Sequence, residues 1–252
     1  VKYLVTGALG SVGQALVPRL DGHVVATDVL ELDVTDRREV LRVIRHHRPD
    51  IIYHLAGAKH APEGEIDPAD VADVNINGTI NVLAAAGLVN AKTIVTSTCK
   101  ACDPETAYGA SKLIAERATL NAGGVVVRFH NVPESSGNVF RLWESIPATE
   151  PLPVTDCWRY FTPLEKAVEL LVAAAELPAG RYAWDPGCSL AMWDVAAELY
   201  PGRPLSRIAA RRGDRLREPL MAACETAVAY KGWLRITGAH DPILECALPK
   251  AA

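Results

Sequence analysis

The 252-residue chain has no apolar run long enough to cross a bilayer, so no membrane-spanning role is expected. It has no excess of positive charge. Its 26 Lys and Arg stand against 30 Asp and Glu, a formal net charge of −4, which leaves no electrostatic footprint for nucleic acid. Arg211, Arg212, Arg215 and Arg217 form one local basic cluster, better suited to a small anionic ligand than to a polymer track. A disulfide framework is absent too. The six cysteines, at 99, 102, 157, 188, 224 and 246, are scattered in the manner of reduced cytosolic thiols. The one Cys-x-x-Cys, Cys99 with Cys102, has no further ligands at zinc spacing nearby, so no metal is expected. A first strand begins at the first residues, so no signal peptide is expected and a cytoplasmic location is. There is no internal repeat and no low-complexity tail. What remains is 49% hydrophobic, enough for one large domain or a large domain with a small appendage.

The amino end carries the first chemical signal. Lys2 to Thr6 is a short run rich in strand formers. Gly7, Gly10, Ser11, Val12 and Gly13 follow in a Gly-x-x-Gly-x-x-Gly turn, and a helix is expected from Ser11 to Leu20, with Pro18 kinking or shortening it. Glycines at such a turn let a pyrophosphate approach the backbone at a helix start. His23 to Thr27 reads as a second strand. Asp28 ends it, about twenty residues past the first glycine, where a carboxylate accepts ribose hydroxyls and repels a 2′-phosphate. Val29 and Leu30 follow instead of Arg or Lys, so NAD is expected rather than NADP. Asp33 is a candidate for the adenine amino group.

Strand-like and helical stretches then alternate. Strands are expected at Asp50 to Leu55, Lys92 to Thr98 and Gly124 to Phe129, and helices at Arg37 to His47, Asp67 to Ala86 and Tyr108 to Asn121, the second opened by the Asp67-Pro68 cap. This rhythm predicts an α/β fold, a doubly wound parallel sheet of Rossmann type with a small C-terminal substrate-binding portion. The dinucleotide-binding domain is expected over 1–131. The remainder, 132–252, is expected to be mainly substrate-binding, with segments about 155–190 returning to the first domain. There, Leu164 to Glu176 reads as a helix, Arg181 to Trp184 as a strand, and everything from about Met192 onward as mostly helical.

Ser97 to Lys112 carries the second signal. A strand ends in Ser97-Thr98, and Tyr108 and Lys112 stand four apart at the start of a helix, on one face. A lysine charge beside a tyrosine lowers its pKa and makes it usable as a proton acceptor. Beside a dinucleotide loop, such a pair is equipment for moving a hydride on and off a carbinol.

In order, Gly7, Gly10, Gly13, Asp28, Asn75, Thr98, Tyr108 and Lys112 make the chain resemble the extended short-chain dehydrogenase/reductase superfamily. The resemblance narrows to its polysaccharide-biosynthesis, CapD-like branch. His54 to Pro62, including Leu55, Ala56, Gly57 and Lys59, resembles that branch's "HAAALKHVP". Ser97 to Lys112 resembles "STDKAxNPxxxYGxxK", Val127 to Val132 resembles "VRFGNV", Gly137 to Val139 resembles "GSV", Arg159 to Phe161 resembles the "RYF" of its "TRYFM", and Arg211 to Glu218 resembles "RPGEKLYEE".

The resemblance implies a sugar-nucleotide dehydratase that uses NAD, typically on UDP-N-acetylglucosamine. Such an enzyme oxidises the 4-hydroxyl, removes water across C-5 and C-6 and returns the hydride. It implies Tyr108 as base at the 4-hydroxyl, Lys112 on the nicotinamide ribose, Thr98 on the 4-oxygen and Lys100 as a base at C-5, neutral through burial. Leu55, Ala56, Gly57 and Asn75 join the cofactor site. Lys59, Asn131, Val139 and Arg159 are substrate contacts, and Arg211 with Glu218 closes a lid over the phosphates. A homodimer or higher homo-oligomer through 67–86 and 108–121 is implied as well.

One position departs from the pattern. Cys99 stands where the branch carries Asp, the acid for the departing hydroxyl. A thiol donates a proton less readily. Three readings follow: a 4,6-dehydratase or a 5,6-dehydratase with Cys99 as acid, a UDP-sugar 4-epimerase without water loss, or a non-catalytic NAD-binding sensor.

Overall fold

A computed structural model describes residues 1–59, 61–211, 213–239 and 241; Arg212 and Cys246 lie outside the described residues. The first half runs β1 (Lys2–Thr6), α1 (Ser11–Leu16), β2 (His23–Thr27), α2 (Arg37–His47), β3 (Ile51–His54), α3 (Ala61–Gly64), α4 (Pro68–Ala72), α5 (Thr79–Val89), β4 (Lys92–Thr98), α6 (Ala107–Asn121) and β5 (Val125–Phe129). The second half runs α7 (Val139–Ser145), β6 (Leu152–Thr155), β7 (Trp158–Arg159), α8 (Leu164–Ala174), β8 (Gly180–Ala183), β9 (Leu190–Ala191), α9 (Met192–Leu199), β10 (Leu205–Ile208), β11 (Glu225–Tyr230) and β12 (Trp233–Gly238).

The main sheet is ordered β2-β1-β3-β4-β5-β8-β12-β11. The first six strands are parallel, and the β11–β12 hairpin adds on antiparallel to β8. Because β2 lies on one side of β1 and β3 on the other, the strand order reverses beside β1. Doubly wound sheets place their ligand crevice at the carboxyl ends of the strands at such a point.

Both faces of the sheet are covered, as parallel strands require. Tyr3, Val5, Tyr53 and Ile94 face α1 and α8, whose Leu16, Ala167, Leu170 and Leu171 complete that core. Leu4 and Ile52 face the opposite way, against Val40, Val43 and Ile44 of α2 and Val82, Ala85 and Ala86 of α5. The alternation along β1 and β3 is the period of two that a strand imposes. A separate small core gathers Trp143, Leu152, Val154, Cys157, Met192 and Ala196 around two two-stranded pairs, β10–β6 and β7–β9.

Three places bear on the sequence expectation. The first helix stops at Leu16 and continues as a 3-10 turn over Val17–Arg19, shortened at Pro18 as the sequence suggests. The stretch 67–86 is helical throughout, opened by Asp67 and Pro68 and running on to Val89. Asp67 caps α4 by accepting from the Asp70 N–H, and a π-helical turn over Asp73–Gly78 then separates α4 from α5. The extra residue in that turn carries Asn75, and such turns recur at functional sites. Third, the region after Met192 is not mostly helical: its described residues hold one helix and three strands, and β11 and β12 return to the main sheet. The alternating sequences of Glu225–Tyr230 and Trp233–Gly238 are strand-like, and Gly232, at φ +86°, allows the turn between them.

The glycine turn is sterically committed. A Cβ on Gly7, at φ +69°, would lie 2.6 Å from the Ala56 nitrogen, and one on Gly13 would lie 2.5 Å from the Gly7 carbonyl oxygen. These obstacles are backbone atoms, so helix α1 must move away from β1 if they are crowded. Gly13→Ala is expected to cost about 1–3 kcal/mol and to abolish dinucleotide binding. A thermal melt and a cofactor titration check both; unchanged binding refutes the assignment of the turn.

Candidate active site

The loop after β1, the ends of β3, β4 and β5, and the start of α6 meet at the carboxyl edge of the sheet. Gly10 N–H closes the glycine turn on the Gly7 carbonyl at 3.2 Å, and α1 begins at Ser11 with no side chain capping it. Asp28 is tied to this turn: its Oδ2 accepts from the Leu9 N–H at 2.9 Å and its Oδ1 from the Val29 N–H at 2.9 Å. Asp33 directs Oδ1 into its own loop, accepting from Thr35 N–H and Oγ1 at 2.9 and 2.8 Å.

Behind the turn lies a buried chain of hydrogen bonds centred on His54. Thr79 Oγ1 donates to the Asn75 carbonyl at 2.7 Å, so it accepts from His54 Nε2 at 3.1 Å. The other ring nitrogen, Nδ1, therefore accepts from Thr6 Oγ1 at 2.8 Å, and Thr6 in turn accepts from the Ala56 N–H at 3.3 Å. Burial, with the Lys112 charge nearby, pushes His54 down to about 3, so it is a neutral imidazole that fixes the loop after β3. That loop runs through Leu55, Ala56 and Gly57. A Cβ on Gly57 would lie 3.0 Å from Asn75 Oδ1 and 3.7 Å from Lys112 Nζ, so the backbone here must be bare. Asn75 donates to the Ala58 carbonyl and to Ser111 Oγ, while its buried Oδ1 has no partner among the described residues. His54 and Ser111 were not singled out from the sequence as site residues. A histidine ending a buried strand beside a glycine turn was the available signal for the first; Ser111 had none.

Tyr108 and Lys112 both lie on the buried face of α6, which Thr106 caps by accepting from the Gly109 N–H at 3.0 Å. Thr98, at the end of β4, is near enough to act on Tyr108. Burial raises the Tyr108 pKa, while the charge of Lys100 and the Thr98 hydrogen bond draw it down. Burial lowers Lys112 itself to about 8, against the opposing pull of Glu116.

The next cluster was not foreseen as a unit. Lys100 Nζ makes a 2.8 Å ion pair with Glu218 and reaches Asn131 Oδ1 at 3.2 Å. Glu218, 4% exposed, also accepts from Asn131 Nδ2 at 2.6 Å, from Cys99 Sγ at 3.5 Å, and lies 3.4 Å from Arg159 Nε. The expectation that burial would leave Lys100 neutral is corrected here. Burial does push its pKa down, but the Glu218 carboxylate outweighs it and holds the ammonium. Lys100 and Arg159 hold the Glu218 carboxyl below its ordinary range against burial. Burial and the facing carboxylate push the Cys99 thiol up to about 12, so it keeps its proton.

Glu218 arrives because the 214–225 segment docks over the 99–105 loop. Arg215 donates to the Cys102 carbonyl and pairs with Glu105, both at 2.8 Å, and Asp103 accepts from the Ala223 N–H. Arg211 is exposed and pairs with Asp214 at 3.0 Å, its local neighbour, while Glu218 is buried against Lys100. Lys59 donates to the Ser136 carbonyl and hydroxyl at 3.0 and 2.9 Å, and Ser136 N–H donates to Ser11 Oγ, which brings the loop after β5 over the glycine turn. Val139 begins α7, half-buried, next to the Asn138 cap.

Residues 20–235 match the polysaccharide biosynthesis protein family. The chain belongs to that family. It lies in the polysaccharide-biosynthesis branch of the extended short-chain dehydrogenase/reductase superfamily. The capsular polysaccharide biosynthesis protein CapD of Staphylococcus aureus is 35% identical over 181 residues, which are 66% of this chain and 30% of CapD. An inverting UDP-N-acetylglucosamine 4,6-dehydratase of Campylobacter jejuni is 28% identical over 214 residues, 79% of this chain and 64% of that enzyme. The chain thus spans less than two thirds of the length of either relative. In fold it is similar to Pen from Bacillus thuringiensis (TM-score 0.82, 22% identity, 96% of this chain and 89% of that one). It is also similar in fold to UDP-glucose 4-epimerase of Thermus thermophilus (TM-score 0.76, 21% identity, 86% and 89%). Among the described residues no helix is long and apolar enough to cross a membrane, and no group of His, Cys, Asp and Glu is arranged to hold a metal ion.

Proposed function

We propose that this chain is a nicotinamide-dependent sugar-nucleotide dehydratase acting on UDP-N-acetylglucosamine or a close relative. The supporting observation is the buried Lys100–Glu218 ion pair beside Thr98 and Tyr108. Oxidation and re-reduction at C-4 require only a base, an orienting hydroxyl and a cofactor-binding lysine. Removal of water also requires one group to take a proton from carbon and another to protonate the departing hydroxyl.

The residues fit a dinucleotide. Gly7 and Gly13 keep the backbone bare, Asp28 stands fixed at the end of β2, and Asn75 Oδ1 is a buried acceptor without a partner among the described residues. Gly7, Gly10, Ser11, Val12 and Gly13 would hold the pyrophosphate, Asp28 the adenosine ribose, and Asp33 the adenine. Leu55, Ala56, Gly57, Asn75 and Lys112 would hold the nicotinamide half. When bound, the cofactor accepts and returns a hydride at the sugar. The negative charge of Asp28 favours NAD over NADP. Tyr108 takes the 4-hydroxyl proton, Thr98 orients that oxygen, and Lys59, Asn131, Val139 and Arg159 grip the substrate.

A 4-epimerase is the second reading. It is favoured by Cys99, whose thiol is directed at Glu218 and stands where the branch has Asp. Turnover of UDP-N-acetylglucosamine in deuterium oxide, followed by NMR and mass spectrometry, separates the two. Loss of one water with deuterium at C-5 or C-6 is expected, and an exocyclic alkene marks the 5,6 variant. Conversion to the galacto isomer with neither change refutes the dehydratase and makes the protein an epimerase.

A further inference from the structure

This inference rests on the dehydratase reading and assigns the elimination step. Sequence alone offered Lys100 as the base and Cys99 as the acid. Three features of the site argue otherwise. Glu218 Oε1 is 2.8 Å from Lys100 Nζ, so the two groups are close enough to exchange a proton after a small reorientation of the ammonium. Glu218 Oε2 faces Cys99 Sγ at 3.5 Å, so a carboxylate from a distant part of the chain stands beside the position where the branch carries its own Asp. Lys100 is the more exposed member of the pair, with 24% of its side chain accessible against 1% for Glu218.

We propose that Glu218 and Lys100 act as one proton-moving pair, Glu218 as the base at C-5 and Lys100 as the acid for the 6-hydroxyl. Once the 4-hydroxyl has been oxidised by the nicotinamide, the C-5 hydrogen is acidic. Its proton goes to a Glu218 oxygen, and the C–H electron pair becomes the new C-5 to C-6 π bond. The C-6 to oxygen bond breaks with its electrons on oxygen, and that oxygen takes a proton from Lys100, leaving as water. Lys100 is then a neutral amine beside a protonated Glu218, and transfer across the ion pair restores both. One proton leaves carbon, one leaves in water, and the pair ends as it began. The charge states support the roles. Lys100 is held as ammonium and Glu218 as carboxylate, the forms required at the start. The groups facing Glu218 are Lys100, Arg159, Cys99 and Asn131, with His130 and Tyr108 close by in the same field. Cys99, which keeps its proton, and Asn131 hold Glu218 Oε2 in place as hydrogen-bond donors.

The test separates oxidation from elimination. Glu218→Gln and Lys100→Arg are given UDP-N-acetylglucosamine in deuterium oxide. The absorbance of reduced nicotinamide reports oxidation, and NMR reports C-5 exchange and loss of water. Glu218→Gln is expected to oxidise the sugar, to lose C-5 exchange and to dehydrate about 10²- to 10⁴-fold more slowly. Lys100→Arg keeps the ion pair, and with it the fold, but its guanidinium does not release a proton near neutrality. It is expected to retain C-5 exchange while water loss falls by a similar factor. If either variant dehydrates at the rate of the unaltered protein, the assignment is overturned while the dehydratase reading stands. If the unaltered protein loses no water, both are overturned.

Discussion

Tyr108→Phe lowers turnover by about 10²- to 10⁴-fold while the protein remains folded. The substitution removes one hydroxyl and keeps the ring, so packing of α6 against the π-helical turn is preserved. Loss of one buried hydroxyl changes stability by about 1 kcal/mol. Its effect on rate is far larger because the proposed mechanism gives the 4-hydroxyl proton to this group, while the Glu218 carboxylate is held by Lys100, Asn131 and Cys99. Thr98 already accepts from the Lys100 N–H at 3.3 Å, and Lys100 itself is held as ammonium. Burial raises the Tyr108 pKa, so the nearby Lys100 charge is part of what makes it usable as a base. Steady-state kinetics with a parallel thermal melt checks the outcome. Residual turnover within tenfold of the unaltered protein would falsify the role of Tyr108.

Glu116→Gln is expected to destabilise the protein by about 3–5 kcal/mol, because it leaves two buried guanidinium groups short of a carboxylate. Arg128 grips Glu116 through Nε at 3.0 Å and Nη2 at 2.7 Å, and Arg181 Nε reaches the same carboxylate at 2.7 Å. Arg128 also pairs with Glu225, and Arg181 with Asp241. Arg128, Arg181 and Glu116 are all buried, so water does not replace the lost contact. For a chain of this size the melting temperature falls by roughly 6–20 °C. Glu144→Gln is the control. Its pair with Arg141 is more than half exposed on both sides, and such pairs contribute about 0–1 kcal/mol. Equal melting temperatures for the two variants would sink the argument. Arg128 and the other cations hold the folded pKa of Glu116 and Glu225 below the ordinary 4.5, against burial. Their stabilisation is therefore present above about pH 4.5 and lost as pH falls through the folded values. The network has a functional consequence. Through Glu225 it fastens β11 to β5 and α6, and the segment that leads into β11 is the one that carries Glu218 into the site.

Whatever neighbours along the chain decide could be read from the sequence. The short apolar runs of β1, β3 and β4, the glycine turn, Asp28 at the end of β2, and Tyr108 and Lys112 on one face of α6 all follow from local sterics and short spacings, and the structure has them where they were expected. The same local reasoning failed where the chain doubles back. The sequence after Met192 reads as mostly helical, yet β12 forms by pairing with β8, a partner more than forty residues earlier in the sequence, and β11 pairs with β12. The membership of the proton-moving cluster is set only once the chain has folded. Glu218 lies 119 residues from Cys99, and nothing local to either marks the other. Folding also sets the charge of Lys100. Burial and ion pairing push an amine in opposite directions, and only the position of the partner carboxylate says which of them wins. Arg211 shows the converse: its pair with Asp214, three residues on, is one that neighbours along the chain decide.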